Sequence, residues 1–147
     1  MVTRIAFQTA MRAAAVQLLT DYAASVSLGL QVYRARPASI YPPSAFVEGL
    51  NETLIDFTSS TRQRVPTVLA RIVWGDFDSG TAVDQRDAFV DGFLDWVQDR
   101  YHAAGANTLI AGVRVSDDPT WVPDWMKPEN QRVYYSTLIA LEGFATT

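Results

Sequence analysis

Alternating carboxylates and a single histidine are the side chains in this sequence that could support chemistry. Asp76 and Asp78 precede Gly80 in a short turn-like segment, and His102 is the sole histidine. Carboxylates at alternate positions suggest a calcium loop. Such a loop needs its glycine at the sixth position and a bidentate glutamate at the twelfth. Here Gly80 comes one position early and Asp87 takes the twelfth place, so we predict turn and capping roles for these aspartates.

A catalytic reading of the same residues finds little further support in the sequence. A Ser–His–Asp triad or a zinc site would have to use His102. The chain contains no Gly-x-Ser-x-Gly or His-x-x-x-His pattern, no phosphate-binding glycine-rich loop and no cysteine. We therefore predict a protein that is not an enzyme and has no catalytic residue, cofactor or metal. A small metal-dependent hydrolase using Asp76, Asp78 and His102 is kept as the alternative.

Four aspartates recur at intervals of three and four residues: Asp84, Asp87, Asp91 and Asp95. On a helix this spacing places them along one flank. The adjacent apolar positions offer a separate core face, so we expect a solvated acidic flank. If the chain surrounds DNA, this flank is the candidate channel-facing surface, because carboxylates and phosphates repel each other.

Aromatic residues and an arginine suggest a contact surface. Phe89 and Trp96 lie seven residues apart near Arg100, and Trp121 and Trp125 stand in a later segment. Tryptophan, tyrosine and arginine are the types that most often anchor interfaces. We treat these five residues as the candidate subunit interface, with equal weight on the alternative that they cover the ends of the core.

A strand and a long helix must position these side chains. Residues 67–74 are apolar and β-branched on both alternating faces, which predicts a strand covered on both sides. Thr81 and Asp84 fit a capping box, so a helix is expected over 82–104, ending at Gly105. Its predicted core face consists of Val83, Val90, Phe93, Leu94, Val97 and Tyr101.

The remaining pattern predicts one α+β domain over residues 1–147. A first helix is expected over 3–25, then strands at 28–34 and 45–48 in antiparallel pairing, and later strands at 108–115 and 133–141. Two stretches are predicted to lie outside the core, an extended polar arm at 49–65 and a long loop at 116–132. The order α-β-β-β-α-β-β predicts a single mixed, mainly antiparallel sheet with two helices packed on one face.

Composition narrows the possible partners. The chain has 147 residues, a formal charge of −4 and a pI near 4.8, which argues against electrostatic binding of nucleic acid. No apolar run approaches the ~20 residues that span a bilayer, so no membrane partner is predicted. The lack of cysteine and of a secretory signal pattern suits a cytoplasmic product.

Three segments are distinctive: residues 72–78 (IVWGDFD), 86–96 (RDAFVDGFLDW) and 134–144 (YYSTLIALEGF). They resemble small tail-terminator (tail-completion) proteins of long-tailed bacteriophages. The likeness extends to the opening helix, to residues 33–37 (YRARP) and to the element order.

This resemblance implies a self-associated ring, typically a hexamer, at the head-proximal end of the virion tail and assembled in the host cytoplasm. Such a ring caps the tail tube, stops polymerisation of the major tail tube protein and meets the head-side connector or neck protein, while DNA passes through without specific binding. It carries no catalytic residue. A head-closure or neck connector protein of the same particle is the alternative.

Overall fold

One open sheet joins the strands of the computed structural model. The structure describes residues 4–56, 62–99, 112–143 and 145–146, and their side chains within 9–49, 67–99 and 112–143. The helices are α1 (Arg4–Ser25), α2 (Gly80–Val90) and α3 (Phe93–Val97). The strands are β1 (Gln31–Tyr33), β2 (Ser44–Asp56), β3 (Arg62–Asp76), β4 (Gly112–Trp121), β5 (Tyr134–Glu142) and β6 (Ala145–Thr146).

The sheet order is β1-β2-β3-β5-β4, with β6 beside β3. All pairings are antiparallel except that of β1 with β2. The α+β class and the mixed, mainly antiparallel sheet are therefore confirmed. The predicted antiparallel pairing of the first two strands was wrong. Residues 34–43 form a connection long enough to carry the chain back across the sheet, which is what a parallel pair requires.

The predicted arm at 49–65 is largely strand. Residues 49–56 of β2 pair with 62–69 of β3 in continuous antiparallel register. Beyond Thr67, where β5 stops, the hairpin continues for 52–56 and 62–66, and among the described strands only β6 lies on the free side of β3 there. Among the described residues this projection is about 16 Å long at ~3.3 Å per residue. From the polar composition we expected an extended arm or a long hairpin loop outside the core. The described part of this segment is a paired hairpin, because strand pairing satisfies the backbone whatever the side chains are.

The prediction of a single helix over 82–104 was also wrong, because the described residues form two helices there, α2 and α3. The helix begins earlier, because the Ser79 hydroxyl accepts a hydrogen bond from the Ala82 N–H at 3.3 Å and acts as the N-cap in place of Thr81. It breaks at Gly92, which has φ +80° and ψ −5°. This left-handed conformation suits glycine. The predicted end at Gly105 lies outside the described residues.

The helices cover one face of the sheet. The buried side of α2 and α3 packs on Trp74 of β3 and on α1, and it consists of Ala82, Phe89, Phe93 and Val97. Two residues of the predicted core face, Val83 and Leu94, are instead 36% and 50% exposed. The buried face of α2 is therefore offset by one position from the predicted one, and Tyr101 lies outside the described residues.

The opposite face carries a second apolar cluster, here called the loop-side cluster: Ile40, Phe46, Val73, Trp121 and Tyr134. Phe46 lies between Ala45 and Val47, which point to the helices, because successive strand residues alternate between faces. The predicted loop at 116–132 is partly strand, since β4 runs to Trp121 at the edge of the sheet. The rest is a loop containing a short 3-10 turn, Pro128–Asn130. No helix in the described residues has the length and apolarity to cross a membrane.

Candidate functional site

Arg71 is the centre of a polar network on the loop-side face. It is 8% exposed, and its Nε donates to Glu48 at 3.0 Å. One Nη contacts Ser136 Oγ at 2.8 Å and an Asp118 carboxylate oxygen at 3.4 Å. Its guanidinium also lies 4.6 Å from the ring centre of Trp121, a cation–π contact. The network connects β2, β3, β5 and β4, and it holds the four strands below the loop-side cluster in register.

A second polar chain connects α2 with the sheet. The Arg86 guanidinium donates two parallel hydrogen bonds to the Asp117 carboxylate of β4, at 3.1 and 2.6 Å. Asp117 accepts a further bond at 2.9 Å from the Thr137 hydroxyl, which in turn accepts the indole N–H of Trp74 at 2.8 Å. The hydrogen bond to Asp117 raises the pKa of Arg86, as expected for a two-pronged arginine–carboxylate pair. This chain fixes the position of α2 across the helix side of the sheet.

A concave groove lies at the end of the sheet where β2 and β5 begin. Its volume is about 790 Å³, within the ~300–1,000 Å³ range of ligand-binding clefts. Two connections form it, residues 34–43 and the loop 122–133. Gln131 braces that loop by donating to the carbonyl oxygens of Pro123 and Met126 at 3.1 and 3.0 Å.

The lining of this groove is apolar inside and basic outside. Ile40, Pro42, Trp125 and Met126 contribute apolar surface, and Lys127 and Arg132 are the charged residues that line it. The guanidinium of Arg36 lies 5.2 Å from the ring centre of Trp125. Tyr41 stands 71% exposed at the rim. Burial raises the pKa of Tyr134 at the groove floor. We call this surface the basic groove.

The four predicted flank aspartates are exposed, as expected for a solvated surface. The break at Gly92 separates Asp84 and Asp87 on α2, and Asp91 at its C-cap, from Asp95 on α3. Asp87 lies 3.0 Å from Arg86. A channel-facing position for these carboxylates stays a prediction.

The predicted interface residues divide into four groups. Phe89 is 1% exposed and packs on Tyr22 and Trp74, with ring centres 4.7 and 5.3 Å apart, so the interface role predicted for it was wrong. Trp96 is half-buried beside Tyr22, and its interface role stays a prediction. Trp121 and Trp125 pack on Phe46 in the loop-side cluster, where Trp125 also lines the basic groove. Arg100 lies outside the described residues.

The described residues do not come together as the alternative hydrolase site would require. Asp76 and Asp78 are exposed at the turn before α2, and His102 lies outside the described residues. Within the part of the chain that the structure describes, no three acidic or histidine side chains converge as metal ligands.

Sequence reasoning missed Arg71, Arg132 and Tyr41. Arg71 sits inside an apolar strand, and a charged residue there is the one local signal that a buried partner network exists. Arg132 and Tyr41 carry no such signal, because two connections far apart in the chain bring them together.

No protein-family model matches this sequence, and no curated protein was found to be similar to it.

Proposed function

We propose that this chain is a structural subunit of a ring that caps the tail tube of a long-tailed bacteriophage. The ring ends polymerisation of the tube protein and provides the joining surface for the head. The three segments that resemble tail terminators fall in neighbouring elements. Residues 72–78 end β3, 86–96 span α2 and α3, and 134–144 include β5, which pairs with β3. The likeness thus lies in one connected part of the fold.

The projecting hairpin is the observation that carries the proposal. Residues 52–56 and 62–66 extend past the end of β5, with the two residues of β6 alone beside them among the described strands. A two-stranded hairpin is at best marginally stable in water. An element of this kind is stabilised when it packs on another molecule, and a ring neighbour or the tube end would supply that contact.

Charge suits the passage of DNA through such a ring. Each copy carries a formal charge of −4, so a ring of six would repel phosphates overall and let DNA pass without specific binding. The chemistry of the protein is then contact and shape: it binds its own copies, the major tail tube protein and the head-side connector.

Size-exclusion chromatography with mass photometry tests the proposal at several protein concentrations, with and without tail tube protein. We expect rings, either alone or on addition of tubes, and tubes that stop growing once capped. A chain that stays monomeric throughout and leaves tube growth unchanged contradicts the proposal.

Pulldown with each partner separates the two virion roles. A tail terminator retains the tube protein, whereas a head-closure or neck connector retains the portal-side connector and leaves tube growth unchanged. Retention of the connector alone would replace the terminator role with the neck role.

A further inference from the structure

The basic groove is open to solvent and chemically biased. Its concave wall is apolar, and the charges that line it, Lys127 and Arg132, are both positive. Arg36 adds a third positive charge above Trp125. The nearby acids Asp124 and Glu129 are exposed in the same loop but do not line the groove. Asp76 does not line it either, but lies beside Arg132 and Tyr134 in an adjoining cavity, and its charge adds to burial in raising the pKa of Tyr134. In a chain with more acids than bases, this is a local positive surface that suits an acidic partner with apolar side chains.

The outward face of α2 has the complementary chemistry. Asp84 and Asp87 are exposed on the side of α2 turned away from Ala82 and Phe89, and Asp91 is exposed where it caps the end of the helix. Asp87 also pairs with Arg86 at 3.0 Å. Val83, which is 36% exposed, provides an apolar side chain next to these aspartates. A three-turn helix with this face is the kind of element that seats in a groove.

The groove and the outward face of α2 are separate surfaces, although Arg132 and Tyr134 of the groove also line a cavity with Thr81 at the start of α2. The basic groove belongs to the loop-side cluster, whereas α2 packs on the helix side. They share no residue, so one copy can offer its helix to a neighbour while its own groove receives the helix of another. A contact between two different surfaces of this kind is head-to-tail, and it closes into a ring when the rotation between copies permits.

We propose that the acidic face of α2 docks into the basic groove of the next copy and forms the subunit contact of the assembly. This inference rests on the proposed function and adds to it the two surfaces that meet. It excludes a channel-facing position for Asp84 and Asp91, since a side chain seated against a neighbour cannot line the channel.

Charge reversal on each side tests the contact. The groove variant is Lys127→Glu/Arg132→Glu, and the helix variant is Asp84→Lys/Asp91→Lys; all four side chains are exposed. Facing like charges oppose docking strongly, so each variant alone should assemble at a concentration at least tenfold higher than wild type. An equimolar mixture should recover assembly, because the wild-type helix of one meets the wild-type groove of the other and the two reversed surfaces also match.

Controls distinguish this contact from general charge effects. Arg114→Glu changes charge at a side chain that is 71% exposed on β4 and should assemble as wild type does. Circular dichroism melting checks that each variant is folded. Should a reversed variant fail to fold, the neutral pairs Lys127→Gln/Arg132→Gln and Asp84→Asn/Asp91→Asn replace them, with a smaller expected loss. Raising salt from about 50 mM to about 500 mM should weaken wild-type assembly.

Several outcomes overturn the inference. A groove variant that forms rings as wild type does but no longer caps tubes identifies the tube protein as the occupant. Mixed variants that stay apart show that the two surfaces do not meet. In both cases the wild-type chain still forms rings, so the proposed function stands. A wild-type chain that never assembles, even with tubes present, overturns the contact and the proposed function together.

Discussion

Arg71 Nε lies 3.0 Å from Glu48 Oε2, and this pair joins β3 to β2 on the face of the sheet opposite the helices. The arginine side chain is 9% exposed and the glutamate side chain 29%. The Arg71 charge is thus largely withdrawn from water, whereas the Glu48 charge is partly hydrated. Loss of the arginine should therefore be more damaging than loss of a surface ion pair.

Arg71→Met should lower the free energy of unfolding by about 2–4 kcal/mol, because Glu48, Asp118 and Ser136 all lose a hydrogen bond from the guanidinium. Ser136 keeps its bond to the Asp118 carbonyl oxygen at 3.2 Å. Arg71→Lys should cost less, since lysine keeps the charge but not the forked geometry. Urea denaturation measures both. Arg114→Met is the matched control, because its ion pair with Glu142 is exposed and should contribute less than about 1 kcal/mol. Equal losses at both arginines would contradict the role given to Arg71.

Thr137→Val should destabilise the fold by about 1–3 kcal/mol, because it leaves the buried indole N–H of Trp74 without an acceptor. Trp74 is 2% exposed, so water does not replace the lost oxygen. Urea denaturation followed by tryptophan fluorescence measures the change. Thr20→Val, at an exposed hydroxyl that bonds within α1, should change stability by less than about 0.5 kcal/mol. No difference between the two valine variants would show that the Trp74 bond contributes nothing.

Gly92→Ala should destabilise by about 1 kcal/mol, a fall in melting temperature of about 2–4 °C for a chain of this size. The cause is backbone conformation, since φ is +80° and an added Cβ would only touch the Tyr22 hydroxyl at 3.9 Å. Gly80→Ala is the control. A Cβ there meets nothing within 4 Å, and alanine favours the helix by up to about 1 kcal/mol. Calorimetric melting should move in opposite directions for the two variants, and shifts of the same sign would be inconsistent with this account.

Stability should fall at alkaline pH through Tyr22. Burial, and secondarily the charge of Asp91, raises the pKa of Tyr22 above its ordinary value of 10.0. A pKa raised in the folded state means that the stabilisation is complete below pH about 10 and is lost as pH rises through the folded value. Urea unfolding from about pH 8 to about pH 11 should show this decline.

Tyr22→Phe should flatten that alkaline decline. The variant also loses the hydrogen bond from the hydroxyl to the Asp91 carbonyl at 3.0 Å, about 1 kcal/mol at neutral pH. Tyr41→Phe, at a side chain that is 71% exposed, should leave the slope of the decline unchanged. A slope that is identical in wild type and Tyr22→Phe would assign the alkaline loss to other groups.

Phe89 and Trp96 should respond differently to truncation. Phe89→Ala removes a ring that is 1% exposed in the core and should cost about 3–5 kcal/mol. Trp96 is half-buried, and we expect Trp96→Ala to weaken assembly more than it destabilises the monomer. Thermal melting at low concentration and mass photometry separate the two effects. A melting temperature for Trp96→Ala as low as that for Phe89→Ala would assign Trp96 to the core.

The error on α2 shows what periodicity alone leaves open. Val83 with Val90 and Ala82 with Phe89 are both apolar pairs seven residues apart, on faces that differ by one position. The rings of Tyr22 and Trp74 decide between them, since both contact Phe89. These partners come from α1 and β3, so no window of sequence along the helix contains the answer.

Local pattern did predict the elements with strong signals. The first helix was expected over 3–25 and runs from Arg4 to Ser25. The strand expected over 133–141 is β5, Tyr134–Glu142, which is displaced by only one residue. The basic groove was not predictable in this way, because Arg36 and Arg132 approach the same Trp125-lined surface only once the sheet is folded. Loops that meet in space carry no common signal in the chain.

The edge strand β4 carries features that limit its pairing with strands of other molecules. Its register with β5 shifts between Asp118 and Trp121, where Pro119 lies, and it carries Arg114 and Asp117. Proline and charge on an outer strand discourage unplanned pairing with foreign strands. If copies of this chain assemble as proposed, the same features would keep unassembled copies from joining edge to edge into fibres.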